Sequence, residues 1–593
     1  MANYTTPLRD MRFVYNELLD AEAIRALPGC EEVTPDLVDA ILEEAGRFCE
    51  ERLFPLNRSG DEEGCHFEDG RVTTPAGLKE AYRDFNEMGW GALAADPEYG
   101  GQGLPNVISM MVEEIMCSTN FAFGLYPGLT HGAYNALVAR ASEELKQAYL
   151  PNMVSGQWSG SMCLTEPQCG TDLGLIRTRA EPQADGSYRL TGSKMFITAG
   201  EHDLSENIIH LVLARTPDAP KGIKGISLFL VPKIAVNDDG SLGEPNGVSC
   251  GSIEHKMGIN ASATCVINFD QARGFLVGRL NKGMEAMFIM MNTERLAVGI
   301  QGLGIGEASY QGAVAYARER LQGRALGGAK SPDKPADSLL VHPDVRRMLL
   351  TQRAYVEGNR ALAAWVASEL DHSKRNPDPR RRQEAEDFVA LMTPIVKAFM
   401  TDTGSEVANL GVQVFGGHGY IREHGMEQYI RDARIAQIYE GTNGIQAMDL
   451  VGRKMPAHMG RYLRRFFHPV RDYLESKEND FTLHAFLLPL AKAFGRLQKA
   501  TAHLAQRGLK NPDEMGASAT DYLRLFALVA LGYLWMRMAD IGQQKREQDP
   551  IFYQAKVDTA RFYFEKILPQ SSALFASIMA GSRSMMKFND EAF

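Results

Sequence analysis

From Leu37 to Leu56 the chain reads LVDAILEEAGRFCEERLFPL, with apolar residues three and four apart, and VISMMVEEIMCSTN repeats that spacing from Val107. Such a period predicts helices with one buried face. Between them DPEYGGQGLPN, rich in Gly and Pro, predicts a loop. From about residue 161 the texture changes to short β-branched or aromatic runs, SYRLTGSKMFITAG, IIHLVLART, GISLFLVP and ATCVINF, separated by turn residues. From about 283 the helical spacing returns in GMEAMFIMMNTERLAVGIQGLG and VRRMLLTQRAYVEGNRALAAWVASEL, and it continues past 461 in YLRRFFHPVRDYLESK and ARFYFEKILPQSSALFASIMAG. The pattern predicts a mainly α protein with a small central β-domain and an extra C-terminal helical domain. The expected divisions are 1–160, 161–282, 283–460 and 461–593.

Composition narrows the partners. Lys and Arg total 63 against 74 Asp and Glu, a net charge of −11, and no basic block is long enough to neutralise a phosphate backbone, so nucleic acid is not an expected partner. All eight cysteines precede residue 266 without CxxC spacing, which predicts reduced thiols and a cytoplasmic location. The N-terminal stretch lacks the apolar core of a signal peptide. LFALVALGYLWM, 12 residues between Arg524 and Arg537, is shorter than the roughly 17–25 residues of a bilayer span and predicts a buried core helix.

Several short patterns could carry chemistry. Gly302-Leu303-Gly304-Ile305-Gly306 lies in a helical period rather than on a strand-to-helix turn, so close helix packing is expected there instead of dinucleotide binding. No HExxH, GxSxG or GxxxxGK[ST] occurs, His418 and His424 do not share a helix face, and no metal site is expected. MCLTEPQCGTD from Met162 is a strand running into a Pro/Gly loop, and KMFIT from Lys194 is a strand with an aromatic face. QVFGGHG from Gln413 crowds glycines where a backbone or ligand can approach closely. In RDARIAQIYEGTNGIQ, from Arg431, the helically spaced Ile435, Ile438 and Tyr439 are expected to be buried, and Glu440 follows them directly before Gly441-Thr442-Asn443-Gly444. Each pattern alone fits a turn, a strand or a solvated helix end.

Together and in this order, LTEPQCGTD, KMFITAG, ERLQG, QVFGGHG and RDARIAQIYEGTNGIQ resemble the acyl-CoA dehydrogenase family over about residues 40–455. The C-terminal helices and the opening YTTPLRDMRFVYNELL resemble a longer subgroup that includes 3-methylmercaptopropionyl-CoA dehydrogenases and bacterial fatty acyl-CoA dehydrogenases. The resemblance implies the family fold and FAD. It places Met162, Leu164 and Thr165 along the flavin ring, Gly170 and Thr171 near flavin or pyrophosphate, and Phe196 and Thr198 over the ring's other edge. Arg320, Gln413, Gly416 and Gly417 resemble the set that holds the adenine-dinucleotide half of FAD in a neighbouring subunit, so the cofactor would bridge a dimer. Thr442 matches a hydroxyl that contacts FAD, and Arg295 and Gly441 match substrate-side positions. Two departures stand out: ERLQG replaces the usual ERxxFG, and Gly444 replaces a glutamine that commonly contacts FAD.

The implied reaction takes a proton from Cα and a hydride from Cβ of an acyl-CoA. A carboxylate with an ordinary pKa of about 4.3 is too weak a base for an unassisted thioester. Burial against flavin and acyl chain raises the base, and donors at the thioester oxygen stabilise the enolate by roughly 3–4 kcal/mol each in comparable sites. Glu440 is the expected base, desolvated at the end of its apolar segment, with its own N–H among the oxygen's donors. Glu294 is the rival, because some relatives carry the base on that helix. Electrons are expected to leave to an electron-transfer flavoprotein. An acyl-CoA oxidase and a non-catalytic flavin scaffold are the competing functions, and medium- or long-chain acyl-CoA is the expected substrate, with 3-methylmercaptopropionyl-CoA as the alternative. The C-terminal helices are expected to cover a tetramer face and leave a homodimer.

Overall fold

The computed structural model describes residues 4–593. They gather into two compact units, one of the chain up to Glu43 with Pro105–Glu114 and Val298–Phe593, the other of Glu44–Leu104 with Ile115–Ala297. The helices that carry the site and its supports are α1 (Leu8–Phe13), α2 (Asn106–Thr119), α3 (Phe121–Arg140), α4 (Gly283–Glu319), α5 (Pro343–Arg375), α6 (Pro379–Phe415), α7 (Met426–Ala436), α8 (Asn443–Asp449), α9 (Pro512–Gln544) and α10 (Pro550–Phe562). The α, β, α order with added C-terminal helices is the one the sequence predicts.

The second unit holds the strands: β1 (His66–Glu68), β2 (Arg71–Thr73), β3 (Trp158–Cys163), β4 (Arg179–Pro182), β5 (Tyr188–Thr198), β6 (Asn207–Ala214), β7 (Ser227–Pro232), β8 (Ile234–Val236), β9 (Leu242–Pro245), β10 (Val248–Ile253) and β11 (Thr264–Val277). Strands β3, β6, β7, β11, β5 and β4 bond in that order, and β10 adds to β11. β6 and β7 are buried at every residue, so apart from Asn207, His210 and Ser227 they are apolar on both faces instead of alternating. The β1–β2 hairpin was not expected among the N-terminal helices. Its strands are too short for a period, and its one local signal is Asp69-Gly70, both at positive φ in the turn.

In the first unit α4 and α6 cross where glycines meet. A Cβ on Gly404 would lie 2.3 Å from the Gly302 carbonyl oxygen, and one on Gly302 would lie 2.5 Å from that of Met400. The glycine run therefore serves packing. Helices α6, α9 and α10 each open on an Asx-Pro pair: Asp378, Asn511 and Asp549 cap the first turn and proline takes the first helical position. The LFALVALGYLWM run lies in α9, which is 33 residues long, not the 12 of the run itself. By length and composition α9 could cross a membrane, yet 89% of its apolar window is buried and the Trp535 indole donates to the Ala354 carbonyl at 3.1 Å.

The C-terminal helices are tied to the rest of this unit by buried charge. Lys556 of α10, fully buried, donates to Asp10 of α1 and to Glu357 of α5. Arg360 of α5 bonds to the same Asp10, to Glu114 and to Glu307. Burial pushes the Asp10 carboxyl up, but Lys556 and Arg360 outweigh it and hold it at about 2. Because that value is depressed, its stabilisation is complete above about pH 4 and is lost as pH falls through about 2. Lys556→Met, which leaves two buried carboxylates short of a partner, is expected to cost about 3–5 kcal/mol near neutral pH. In denaturant titrations the gap to the parent should narrow as pH falls; a gap independent of pH contradicts the assignment.

Candidate active site

In the second unit, the loop Leu164–Asp172 leaves β3 and is fastened to β5. Met195 N–H donates to the Thr165 carbonyl at 3.0 Å. Lys194 Nζ, wholly buried, donates to the Leu164 carbonyl at 3.0 Å and to Glu166 Oε1 at 2.8 Å. Glu166 also accepts from Thr178 Oγ1 at 2.6 Å and from the Arg177 and Thr178 N–H groups at 2.7 and 3.0 Å. Burial pushes Glu166 up, but Lys194 and these donors outweigh it and hold the carboxyl at about 2. Neither charge was singled out in the sequence, although both lie inside its motifs.

This fastening gathers the expected ring-side residues. Met162, Thr165 and Thr198 are half-buried, Leu164 is buried, and Gly170 and Thr171 are exposed. A β-bulge between Lys194 and Ile197 inserts one residue opposite β11. At the bulge Phe196 takes φ +58° and stays 56% exposed. A bulky residue rarely adopts that conformation, and an aromatic ring held out in water is a surface for another flat group.

In the first unit, the ends of α4 and α6 come together. Tyr316, one turn before Arg320, stacks on Phe415 with ring centroids 4.1 Å apart, and its hydroxyl bonds to His418 Nδ1 at 2.8 Å. Arg320, Gln413, Gly416 and Gly417 are thereby brought to one exposed edge. A Cβ added at Gly416 or Gly417 would meet nothing within 4 Å, and Gly416 has φ +61°, so both leave open space beside the backbone. The loop after Arg320 is ordered by a buried carboxylate the sequence did not reveal. Asp337 accepts from the N–H groups of Ala325, Lys330 and Ser331 at 2.7–3.0 Å, and these hold it at about 2.

The Glu440 turn belongs to the same unit. Helix α7 stops at Ala436 and α8 starts at Asn443. Of the three residues expected to be buried, Ile435 and Tyr439 are only half-buried and Ile438 is 47% exposed, because the last two lie beyond the helix whose face would have buried them. Glu440 is half-buried, not desolvated, by this chain alone. It has φ +56° and is followed by Gly441 at +86°. The Tyr439 hydroxyl donates to Gln301 Oε1 on α4, and Gln446 Nε2 donates to the Glu440 carbonyl at 3.2 Å. Thr442 caps α8 by accepting from the Ile445 N–H, which uses an oxygen lone pair and leaves the hydroxyl hydrogen to donate elsewhere.

Glu294 and Arg295 lie in the second unit, buried to 5% and 9% exposure. The Glu294 carboxylate occupies the space left by Gly132 of α3, where a Cβ would lie 2.1 Å from Oε1. Arg295 donates to Asn292 Oδ1 at 3.3 Å. Met287 and Met290 are fully buried core residues, and Met291 is half-buried.

An open glycine edge beside an arginine, and a strand that holds an aromatic ring outward next to a loop with exposed Gly170 and Thr171, are features that fit a flavin dinucleotide. Comparison with known proteins agrees. Models of the acyl-CoA dehydrogenase N-terminal, middle and C-terminal domains match residues 36–157, 161–272 and 281–455, and an acetyl-CoA dehydrogenase C-terminal-like model matches 466–589. The chain belongs to the acyl-CoA dehydrogenase family of FAD-dependent oxidoreductases, with an additional C-terminal domain. It is 43% identical over 586 residues to 3-methylmercaptopropionyl-CoA dehydrogenase of Ruegeria pomeroyi, covering 98% of this chain and 99% of the relative. It is 32% identical over 618 residues to the broad-specificity linear acyl-CoA dehydrogenase FadE5 of Mycobacterium tuberculosis, covering all of both. An acyl-CoA dehydrogenase from Bacillus anthracis solved with FAD shares the fold at a TM-score of 0.75 and 20% identity, over 96% of this chain and 92% of that one.

Proposed function

We propose that this protein oxidises linear acyl-CoA thioesters to trans-2-enoyl-CoA, with Glu440 as the base that removes the Cα proton. The observation that carries this reading is the backbone at Glu440. A non-glycine residue held left-handed costs on the order of 1–3 kcal/mol and persists where surrounding contacts over-determine it, a condition concentrated at functional sites. Bound FAD supplies the hydride acceptor. The Glu440 N–H is proposed to donate to the thioester oxygen, so that base and enolate stabiliser come from one residue. Gly441 leaves room beside it, and Arg295 is proposed to contact the CoA moiety.

For the cofactor we assign Met162, Leu164, Thr165, Gly170, Thr171, Phe196 and Thr198 to the flavin ring and its pyrophosphate side. Arg320, Gln413, Gly416 and Gly417 take the adenine-dinucleotide half of a neighbouring copy in a homodimer, and the Thr442 hydroxyl contacts FAD. The proposed electron acceptor is an electron-transfer flavoprotein, and fatty acid β-oxidation in the cytoplasm is the proposed setting.

A second reading, oxidation of 3-methylmercaptopropionyl-CoA, is favoured by the full-length similarity to the Ruegeria enzyme. The test is anaerobic mixing of the purified yellow protein with straight-chain acyl-CoAs of increasing length and with the thioether substrate. Bleaching by straight chains supports the first reading, and bleaching by the thioether alone supports the second. No bleaching by any of them refutes dehydrogenation. Peroxide released in proportion to substrate on admitting air would make the protein an oxidase.

A further inference from the structure

The turn that carries Glu440 is closed at both ends by one side chain. Asn443 N–H donates to the Gln437 carbonyl at 3.1 Å, which joins the two ends of a loop with Glu440 at its middle. Both ends are then fastened to the same carboxylate of α6. Gln437 Nε2 donates to Asp402 Oδ1 at 2.7 Å, and Asn443 Nδ2 donates to that same atom at 2.7 Å. The Asn443 amide also lies 2.9 Å from Thr401 Oγ1 and 3.1 Å from the Ala398 carbonyl, while its Oδ1 accepts from Lys397 Nζ at 2.8 Å. Lys397 is fully buried and Thr401 is 1% exposed.

An amide suits this position because it faces a carboxylate with its donors and an ammonium with its acceptor. Aspartate would set a second anion against Asp402. Alanine would leave Lys397 and Asp402 to find other partners. Glu440 and Gly441, both left-handed, have no helix or strand of their own to fix them, so their placement depends on these closures.

We propose that Asn443 is a positioning residue for the reaction: its side chain clamps the Glu440 loop to α6 through Asp402 and Lys397 and so sets where the base meets the substrate Cα hydrogen. This rests on Glu440 being the base. A misplacement of about 1 Å at a reacting group can lower a rate by about 10²-fold, so a clamp remote from the bond being broken has a large kinetic effect.

The test separates proton removal from oxidation. An acyl-CoA with sulfur in place of the β-carbon cannot lose a hydride, but its Cα hydrogens exchange with D2O when a base reaches them, and NMR follows that exchange in the holoenzyme. Asn443→Ala is expected to slow exchange by about 10²-fold, with flavin content unchanged and KM for a true substrate within about twofold of the parent. Asn443→Asp should fall as far. Adding Asp402→Asn to it restores an amide-to-carboxylate bond with the partners exchanged, and should recover about tenfold or more.

Exchange by Asn443→Ala close to the parent rate overturns the clamp, and so does a double variant no faster than Asn443→Asp. Where Asn443→Ala does not yield folded holoenzyme, the Asn443→Asp comparison decides. Glu440→Gln is measured in parallel. If it still exchanges, the base assignment and the clamp fall together; if it is inert while Asn443→Ala is normal, only the clamp falls.

Discussion

Glu440→Gln is expected to lower acyl-CoA oxidation by about 10²–10⁴-fold while the protein stays folded and yellow. Glutamine keeps the length and shape of the side chain, so the left-handed turn and its ties through Tyr439, Gln446 and Asn443 persist. What is lost is a group able to take a proton. The residues assigned to FAD lie elsewhere, except Thr442, whose cap on α8 does not involve the carboxylate. Stopped-flow flavin reduction at saturating substrate measures the effect, with Glu294→Gln as the companion variant. Near-parental reduction by Glu440→Gln, together with loss in Glu294→Gln, would transfer the role to the buried carboxylate beside Gly132.

Exposure around the turn bears on how Glu440 would work as the proposed base. Glu440 is only half-buried and Ile438 is 47% exposed in the single chain. A carboxylate so placed is not strongly desolvated by its own chain. The rise in basicity that the reaction needs is therefore expected on assembly with cofactor and substrate, where the base would otherwise face water.

Lys194→Met is expected to destabilise the protein by about 3–5 kcal/mol and to release FAD. The substitution keeps the apolar stem but leaves Glu166 as a buried anion without its countercharge. It also removes the donor to the Leu164 carbonyl, and with it one of the bonds that hold Leu164–Asp172 beside β5. Glu166 can answer only by taking up a proton or by drawing in water, and either one loosens the loop that bears Thr165, Gly170 and Thr171. Thermal unfolding and flavin retained after desalting are the measurements. Adding Glu166→Gln, which removes the charge and keeps one oxygen to accept from the Thr178 N–H and hydroxyl while giving up the acceptor for the Arg177 N–H, should recover part of both losses. A Lys194→Met protein as stable and as yellow as the parent would show that the pair is not what fastens the loop.

The sequence by itself determined what is periodic or local. The switch from helical to strand spacing gave the α, β, α order, the helical context of Gly302–Gly306 marked it as packing, and the ordered motifs singled out Glu440 and the positions proposed to hold the cofactor. The β1–β2 hairpin escaped because three-residue strands show no period, though its Asp69-Gly70 turn was there to be read. Tertiary structure alone decided the pairings between distant positions. Lys194 finds Glu166, Asn443 finds Asp402, and Lys556 finds Asp10 across most of the chain's length. Which charges are buried together, and whether Ile438 is covered, depend on where elements end and cross in space. Hydrophobic spacing along a chain records which way one element faces, and carries no mark of the element it will meet.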